Sequence, residues 1–284
     1  MSFRFLCSLG IVFGALWSGL PSAQAAAAIR TISKVPYTIT VPGSYVLGRN
    51  LDYAGGPYAI TIASDDVTLD LRGFRLRSTG DISKNTQTAG IYATTRRNVV
   101  IKNGIVQGFF RGIYLESNDL TVGGQLVENV RAMQSTFLGI QVKGRGAIVR
   151  NCEVNTVEGS VVYDLIRYGI DVQGALVVIM NNEVHDVSPG TGLNGLTAYG
   201  IRAQTVDGAV ISGNRVANAV NFAVSGAAIG VIDGAGVVIE RNVVSRYGIG
   251  ITFTNLTNSI YRDNTAAFCL VKYGVGVDDG SGNR

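Results

Sequence analysis

One five-residue phrase recurs along this chain and restricts what it can fold into. It appears as Gly90-Ile91-Tyr92-Ala93-Thr94, Gly112-Ile113-Tyr114-Leu115-Glu116 and Gly139-Ile140-Gln141-Val142-Lys143. It returns as Gly169-Ile170-Asp171-Val172-Gln173 and Gly200-Ile201-Arg202-Ala203-Gln204, with looser copies starting at Ala228, Gly250 and Gly274. Successive starts lie 22, 27, 30, 31, 28, 22 and 24 residues apart. Aligned, the position after each start is Ile seven times and then Val275. Two further on stand Ala93, Leu115, Val142, Val172, Ala203, Val231, Phe253 and Val277. Apolar positions alternating with polar ones over so short a run describe a half-buried strand. Repetition at this interval describes a solenoid, in which no coil can bury its inner face alone.

A second phrase follows each first one: Val99-Val100-Ile101, Ala147-Ile148-Val149, Val177-Val178-Ile179, Ala209-Val210-Ile211 and Val237-Val238-Ile239. It reads as another strand. Shortly after come Asn103, Asn129, Asn151, Asn182, Asn214, Asn242 and Asn264. Asn tolerates left-handed backbone and hydrogen-bonds its own turn, so one stacked Asn ladder at a fixed corner is expected. Tyr37 to Val41 and Tyr58 to Leu71 supply two more coils, about ten in all, with Arg30 to Val35 capping the first. The expected organisation is a signal peptide over 1–25, a cap segment over 26–36 and one all-β, right-handed parallel β-helix domain over 37–284.

On these Gly-Ile starts, Val-x-Ile runs and Asn corners, from Tyr37 to Gly280, the chain resembles the right-handed parallel β-helix superfamily, the pectate-lyase-like fold. That resemblance implies the fold. It leaves function open among polysaccharide lyases, glycoside hydrolases, uronan epimerases, tailspikes, periplasmic helper proteins and non-catalytic surface proteins. Tyr168-Gly169-Ile170-Asp171 also resembles the Tyr-Gly-Phe-Asp opening of the mannuronan C5-epimerase motif. That family continues with Pro-His, where this chain has Val172-Gln173, so the carry-over stops at Tyr168 and Asp171.

The N-terminus reads as a leader. Arg4 precedes an uncharged apolar run, Phe5 to Leu20, and Ala23-Gln24-Ala25 is a small-x-small cleavage pattern. Export to the periplasm or beyond is expected, without a membrane anchor. Removing Arg4 leaves 23 basic and 20 acidic residues, a charge of +3. No basic run points to nucleic acid. Cys152 and Cys269 fall four coils apart, roughly 19 Å at about 4.8 Å per strand, too far for a disulfide. They read as small buried hydrophobes.

The outward columns of the first strand are the candidate site. Two places past each start stand Tyr92, Tyr114, Gln141, Asp171, Arg202, Gly230, Thr252 and Gly276. Four places past it stand Thr94, Glu116, Lys143, Gln173, Gln204, Ile232, Thr254 and Asp278. A coil spacing of about 4.8 Å is close to the length of one sugar in an extended glycan. Tyr92 and Tyr114 offer rings for stacking on sugars, beside Glu116, Gln141, Gln173 and Gln204. Four segments read as insertions walling this face: Gln134 to Leu138, Glu158 to Tyr168, Pro189 to Tyr199 and Asn221 to Ala227. They would bring Tyr163, Asp164, Arg167, Tyr168 and Tyr199 alongside.

β-Elimination on a uronan needs a group to neutralise the carboxylate, Arg202 or Gln173, and a base for the C5 proton, Lys143 or Tyr168. Asp171 joins this catalytic set. The competing account is that Glu116, Lys143, Asp171 and Arg202 are opposite charges steadying a sheet. His185 is either half of a dyad with Asp186 or a solvated turn residue. No transition-metal ligand cluster and no cofactor are expected. Calcium would have Asp65, Asp66 and Asp70, or Asp278 and Asp279, none in a recognisable loop. The expected function is engagement of an extended acidic polysaccharide, as a lyase or C5-epimerase. The alternative is a non-catalytic structural, adhesion or assembly β-helix at the cell surface.

Overall fold

The computed structural model describes residues 28–80, 87–158, 166–188, 198–219, 223–274, 278–279 and 282–284. The described residues form strands and turns without helix, and the strand pairs are parallel. A ten-stranded sheet makes the first wall: Tyr37–Ile39, Tyr58–Ile62, Ala89–Thr94, Arg111–Glu116, Leu138–Lys143, Arg167–Gln173, Ala198–Gln204, Ala223–Ala235, Tyr247–Thr257 and Val271–Tyr273. An 18-stranded sheet supplies the other two walls. The second runs through Gly43–Leu47, Val67–Asp70, Ile148–Arg150, Val178–Met180, Val210–Ser212, Val238–Glu240 and Ile260–Arg262. The third includes Glu153–Val157, Glu183–Val187, Arg215–Ala217, Val243–Ser245 and Thr265–Ala267. The longer strands Val99–Gln107 and Leu126–Ser135 turn the corner between them. This is a right-handed parallel β-helix, one coil laid on the next.

The repeat sets the register. Ile91, Ile113, Ile140, Ile170, Ile201, Ile229 and Ile251 pair in one column, each fully buried. Each contributes about 1.5–3 kcal/mol by leaving water, so a one-residue slip in any coil would expose its inner face. Glycine precedes them because the chain turns two successive positions inward there. A Cβ on Gly200 would overlap the Val216 side chain and stand 2.7 Å from the carbonyl of Ala228. The residue before each glycine is thereby turned outward.

The Asn corner is two columns rather than one. Asn103, Asn129, Asn151 and Asn181 occupy a left-handed corner position, with φ of 58°, 53°, 53° and 54°. The buried ladder is the following residue: Asn182, Asn214, Asn242 and Asn264, ending on Asn283. Asn214 Oδ1 accepts from Asn182 N and Nδ2 at 3.0 Å, while its Nδ2 donates to the carbonyl of Ile179 at 2.9 Å. Cys152 occupies the ladder position one coil earlier, its N–H donating to Asn182 Oδ1 at 3.0 Å. Inside the solenoid a side-chain amide satisfies backbone groups that no water can reach.

Two further expectations are corrected. Gln134 to Leu138 is a tight turn rather than an insertion, since Leu126–Ser135 runs almost into Leu138–Lys143. The last copy is also displaced. Ile251 pairs with Tyr273, and Asp278 pairs with Ile260 on the second wall, which removes Asp278 from the outward stripe. Cys152 and Cys269 are both free thiols.

Candidate functional site

The outward stripe of the first wall exists in register. Thr61, Tyr92, Tyr114, Gln141, Asp171, Arg202, Gly230 and Thr252 are successive partners along it. Lys143, Gln173, Gln204, Ile232 and Thr254 form the adjacent column. Tyr114, Asp171 and Arg202 therefore share one face, and their surroundings divide it into two parts.

The part around Asp171 is closed. Its carboxylate faces outward yet is wholly buried. It accepts from Arg202 Nε at 2.7 Å and Nη2 at 2.9 Å, from Gln141 Nε2 at 2.5 Å and from Gln173 Nε2 at 3.2 Å. Arg202 Nη1 donates to the Tyr168 hydroxyl at 2.8 Å. Burial pushes the Tyr168 phenol up to about 12 against the opposing pull of Arg202, so at neutral pH it is a protonated acceptor rather than a base. Tyr168 stacks on Tyr199 with centroids 5.9 Å apart, and Tyr199 lies over Gly230, where a Cβ would overlap its ring. Leu138, Tyr168, Tyr199 and Ala227 form a small apolar cluster outside the main core, joined by Phe137, Ile166, Ile232 and Ile249. This cluster roofs the ion pair.

The other part, from Tyr58 to Lys143, is more open. Tyr58 and Tyr92 stack at 3.9 Å, and Tyr92 and Tyr114 follow at 5.6 Å. The faces expected to stack on sugars are thus turned toward one another along the solenoid axis. Tyr92, between two rings, is left half-buried. Burial, together with the Glu116 carboxylate beside it, holds the Tyr114 phenol well above its ordinary range. Lys143 Nζ lies 3.8 Å from Glu116 Oε1.

Arg111 lies in the column before the glycines, which the sequence reading did not treat as outward. Its guanidinium sits 4.8 Å from the Phe110 ring, 4.7 Å from Tyr114 and 5.3 Å from Phe137. Its side chain has no carboxylate or hydrogen-bond partner among the described residues, and Nε is buried without one. The available signal was the Arg–Gly pair in a column otherwise holding Ala89, Leu138, Tyr168 and Tyr199.

Other candidates are placed as follows. Arg167 is buried and donates to the carbonyl of Ser188 at 3.1 Å. Gln204 pairs with Gln173 in register. Tyr163 and Asp164 lie outside the described residues. The His185–Asp186 dyad is not formed: His185 Nε2 is 3.4 Å from Glu183, while Asp186 Oδ1 accepts from Ala219 N at 2.6 Å. Asp65, Asp66 and Asp70 accept from Arg97 N, Asn98 Nδ2 and Arg72 N respectively, as turn-forming residues do.

Comparison with solved structures gives the same architecture. The enzymatically active domain of tailspike protein 2 from bacteriophage CBA120 matches at a TM-score of 0.63 with 15% identity, covering 89% of this chain and 42% of that one. The full-length tailspike protein 2 matches at 0.54 and 13% identity, covering 89% and 38%. This chain thus spans less than half the length of these two tailspike chains. A mannuronan C-5 epimerase module from Azotobacter vinelandii follows at 0.43 and 15% identity, covering 89% and 91%. No curated protein matches. The family model for NosD, periplasmic copper-binding protein, matches residues 124–284.

That family description names copper, for which thiolate, thioether and imidazole are the suitable donors. Within the described residues this chain has Cys152, Cys269, Met133, Met180 and His185, and they do not converge. Burial pushes the Cys152 thiol up to about 12, and its Sγ faces the carbonyls of Val127 and Arg150. Cys269 is raised by burial as well. Met133 and His185 share a column with Asn155 between them, two coils apart or roughly 10 Å. Among the described residues no three His, Cys, Asp or Glu side chains group as metal ligands. These donors do not fit a copper centre within the solenoid. The match nevertheless spans more than half the chain and continues coils of the same repeat, so the chain belongs to the NosD family, a parallel β-helix family.

Proposed function

We propose that this chain is an exported, non-catalytic β-helix protein that holds an extended acidic polysaccharide against the first wall, between Tyr58 and Lys143. The observation that carries this reading is Arg111, a cation held among three aromatic rings with no carboxylate partner among the described residues. An acidic sugar would supply that carboxylate, and a charge-assisted bond contributes about 1.5–3 kcal/mol. Tyr58, Tyr92 and the Lys143–Glu116 pair lie within a few coils, at a spacing of about 4.8 Å that suits successive sugars. The periplasmic description of the family supports export, as does the apolar leader.

Binding without turnover is preferred because the groups expected to perform elimination are engaged with one another. Arg202 is committed to Asp171, Tyr168 accepts from Arg202, and Lys143 faces Glu116. A structural or assembly role is the second reading, favoured by the same closed cluster. Titration calorimetry of the mature protein against alginate, polygalacturonate and a neutral glucan tests the choice. Binding to the uronans, weakened about tenfold or more by Arg111→Ala, is expected, with no ultraviolet absorbance from unsaturated product. No binding to any polymer leaves the structural reading, and accumulating unsaturated product restores the lyase.

A further inference from the structure

The Val-x-Ile phrases contain more apolar surface than the core consumes. In Val99-Val100-Ile101 the outer two are fully buried, while the middle residue points out of the second wall. Its partners in neighbouring coils are Leu126, Ile148, Val178, Val210, Val238 and Ile260. These seven aliphatic side chains face outward in one line, partly exposed and reaching 44% at Ile260, with Leu176 beside them at 47%. Six coil steps make the stripe roughly 29 Å long. A wall that only met water would carry polar residues there, and a continuous apolar stripe marks an interaction surface.

The neighbouring outward column identifies the partner. In coil order it reads Lys102, Glu128, Arg150, Met180, Ser212, Glu240, Arg262. Turned end for end, the six places from Glu128 to Arg262 meet themselves with opposite sign wherever they are charged: Glu128 against Arg262, Arg150 against Glu240, and Met180 against Ser212; Lys102 lies one coil beyond this stretch. The same operation sets Leu126 against Ile260, Ile148 against Val238, and Val178 against Val210. We propose that the second wall is a self-association surface. Two copies pack face to face with antiparallel solenoid axes, about a two-fold axis lying along the strands between Val178 and Val210.

A two-fold contact must be self-complementary, and an unrelated partner would impose no such inverted pattern. Within one copy Arg150 already pairs with Glu128 at 2.6 Å and Arg262 with Glu240 at 2.9 Å. The contact therefore joins existing pairs into four-charge networks and strands no charge. Arg241, which also pairs with Glu240, and Asp263 stand at the adjoining corner with opposite signs. Strand and turn together give the face a width of roughly 14 Å. Each copy would bury on the order of 400 Å², below a standard stable interface, so the dimer is expected to be weak and concentration-dependent.

Sedimentation velocity of the full mature chain from about 10 µM to about 1 mM, the range of weak association, reads this directly. Wild type should shift from monomer toward dimer, and Val178→Lys should raise the dissociation constant about tenfold or more. Arg150→Glu and Glu240→Arg should each weaken self-association, while an equimolar mixture of the two should restore it, because both facing pairs are then opposite in sign. Val178 and Arg150 are partly exposed, whereas Glu240 is buried beneath Arg241 and Arg262; circular dichroism of each variant verifies folding before its association is compared with wild type. Wild type remaining monomeric throughout, or a mixture no better than its separate components, would overturn the proposal.

Discussion

Replacing Arg202 with Met tests whether the centre of the stripe is a sealed ion pair or an accessible site. Asp171 is wholly buried, and Arg202 supplies two of its four hydrogen bonds. Met has a similar length but leaves the carboxylate with only Gln141 and Gln173. Breaking a buried pair by removing one partner costs about 3–5 kcal/mol, because the remaining charge is uncompensated. For a domain this large, each kcal/mol moves the midpoint by about 2–4 °C, so Arg202→Met should melt roughly 6–20 °C below wild type. Adding Asp171→Asn removes the stranded charge, and the double variant should recover most of the loss. Differential scanning fluorimetry of wild type, both single variants and the double variant completes the cycle. If Arg202→Met melts within about 2 °C of wild type, water reaches Asp171, and the site must be regarded as open.

Three further outcomes are expected. The Tyr168 phenol is raised from 10.0 to about 12. Its contribution is therefore complete below pH 10 and lost as pH rises through 12, worth about 2–3 kcal/mol; alkaline melting should be steeper for wild type than for Tyr168→Phe, and equal slopes would contradict the burial argument. Asn214→Ala should cost about 2–5 kcal/mol by orphaning the N–H of Asn182 and the carbonyl of Ile179, whereas Asn151→Ala at the solvated corner should cost under about 1 kcal/mol; chemical denaturation compares them. Gly200→Ala should cost about 1–3 kcal/mol through overlap with Val216 and the Ala228 carbonyl, while Gly55→Ala, with nothing near its Cβ, should be close to neutral in the same assay.

The sequence by itself determined the solenoid, its ten-stranded first wall and the register of nearly every coil. Burying Ile at a fixed place in each repeat outweighs any local preference, so periodicity alone reveals which residues point inward. It placed Tyr92, Tyr114, Asp171 and Arg202 on one face for the same reason. Only the tertiary structure decided what those outward side chains do. Coils separated by 22 to 31 residues in sequence bring Asp171 beside Gln141 and Arg202, and pairwise contacts across coils leave no period to read. The glycine bend turned a neglected column outward and put Arg111, Tyr168 and Tyr199 on the face. The Asn residues divided into a solvated corner and a buried ladder because adjacent positions there differ by one backbone turn, a distinction invisible in residue identity. The last coil was misplaced because Gly274 imitates a start, whereas the interior selects Tyr273 to cover Ile251.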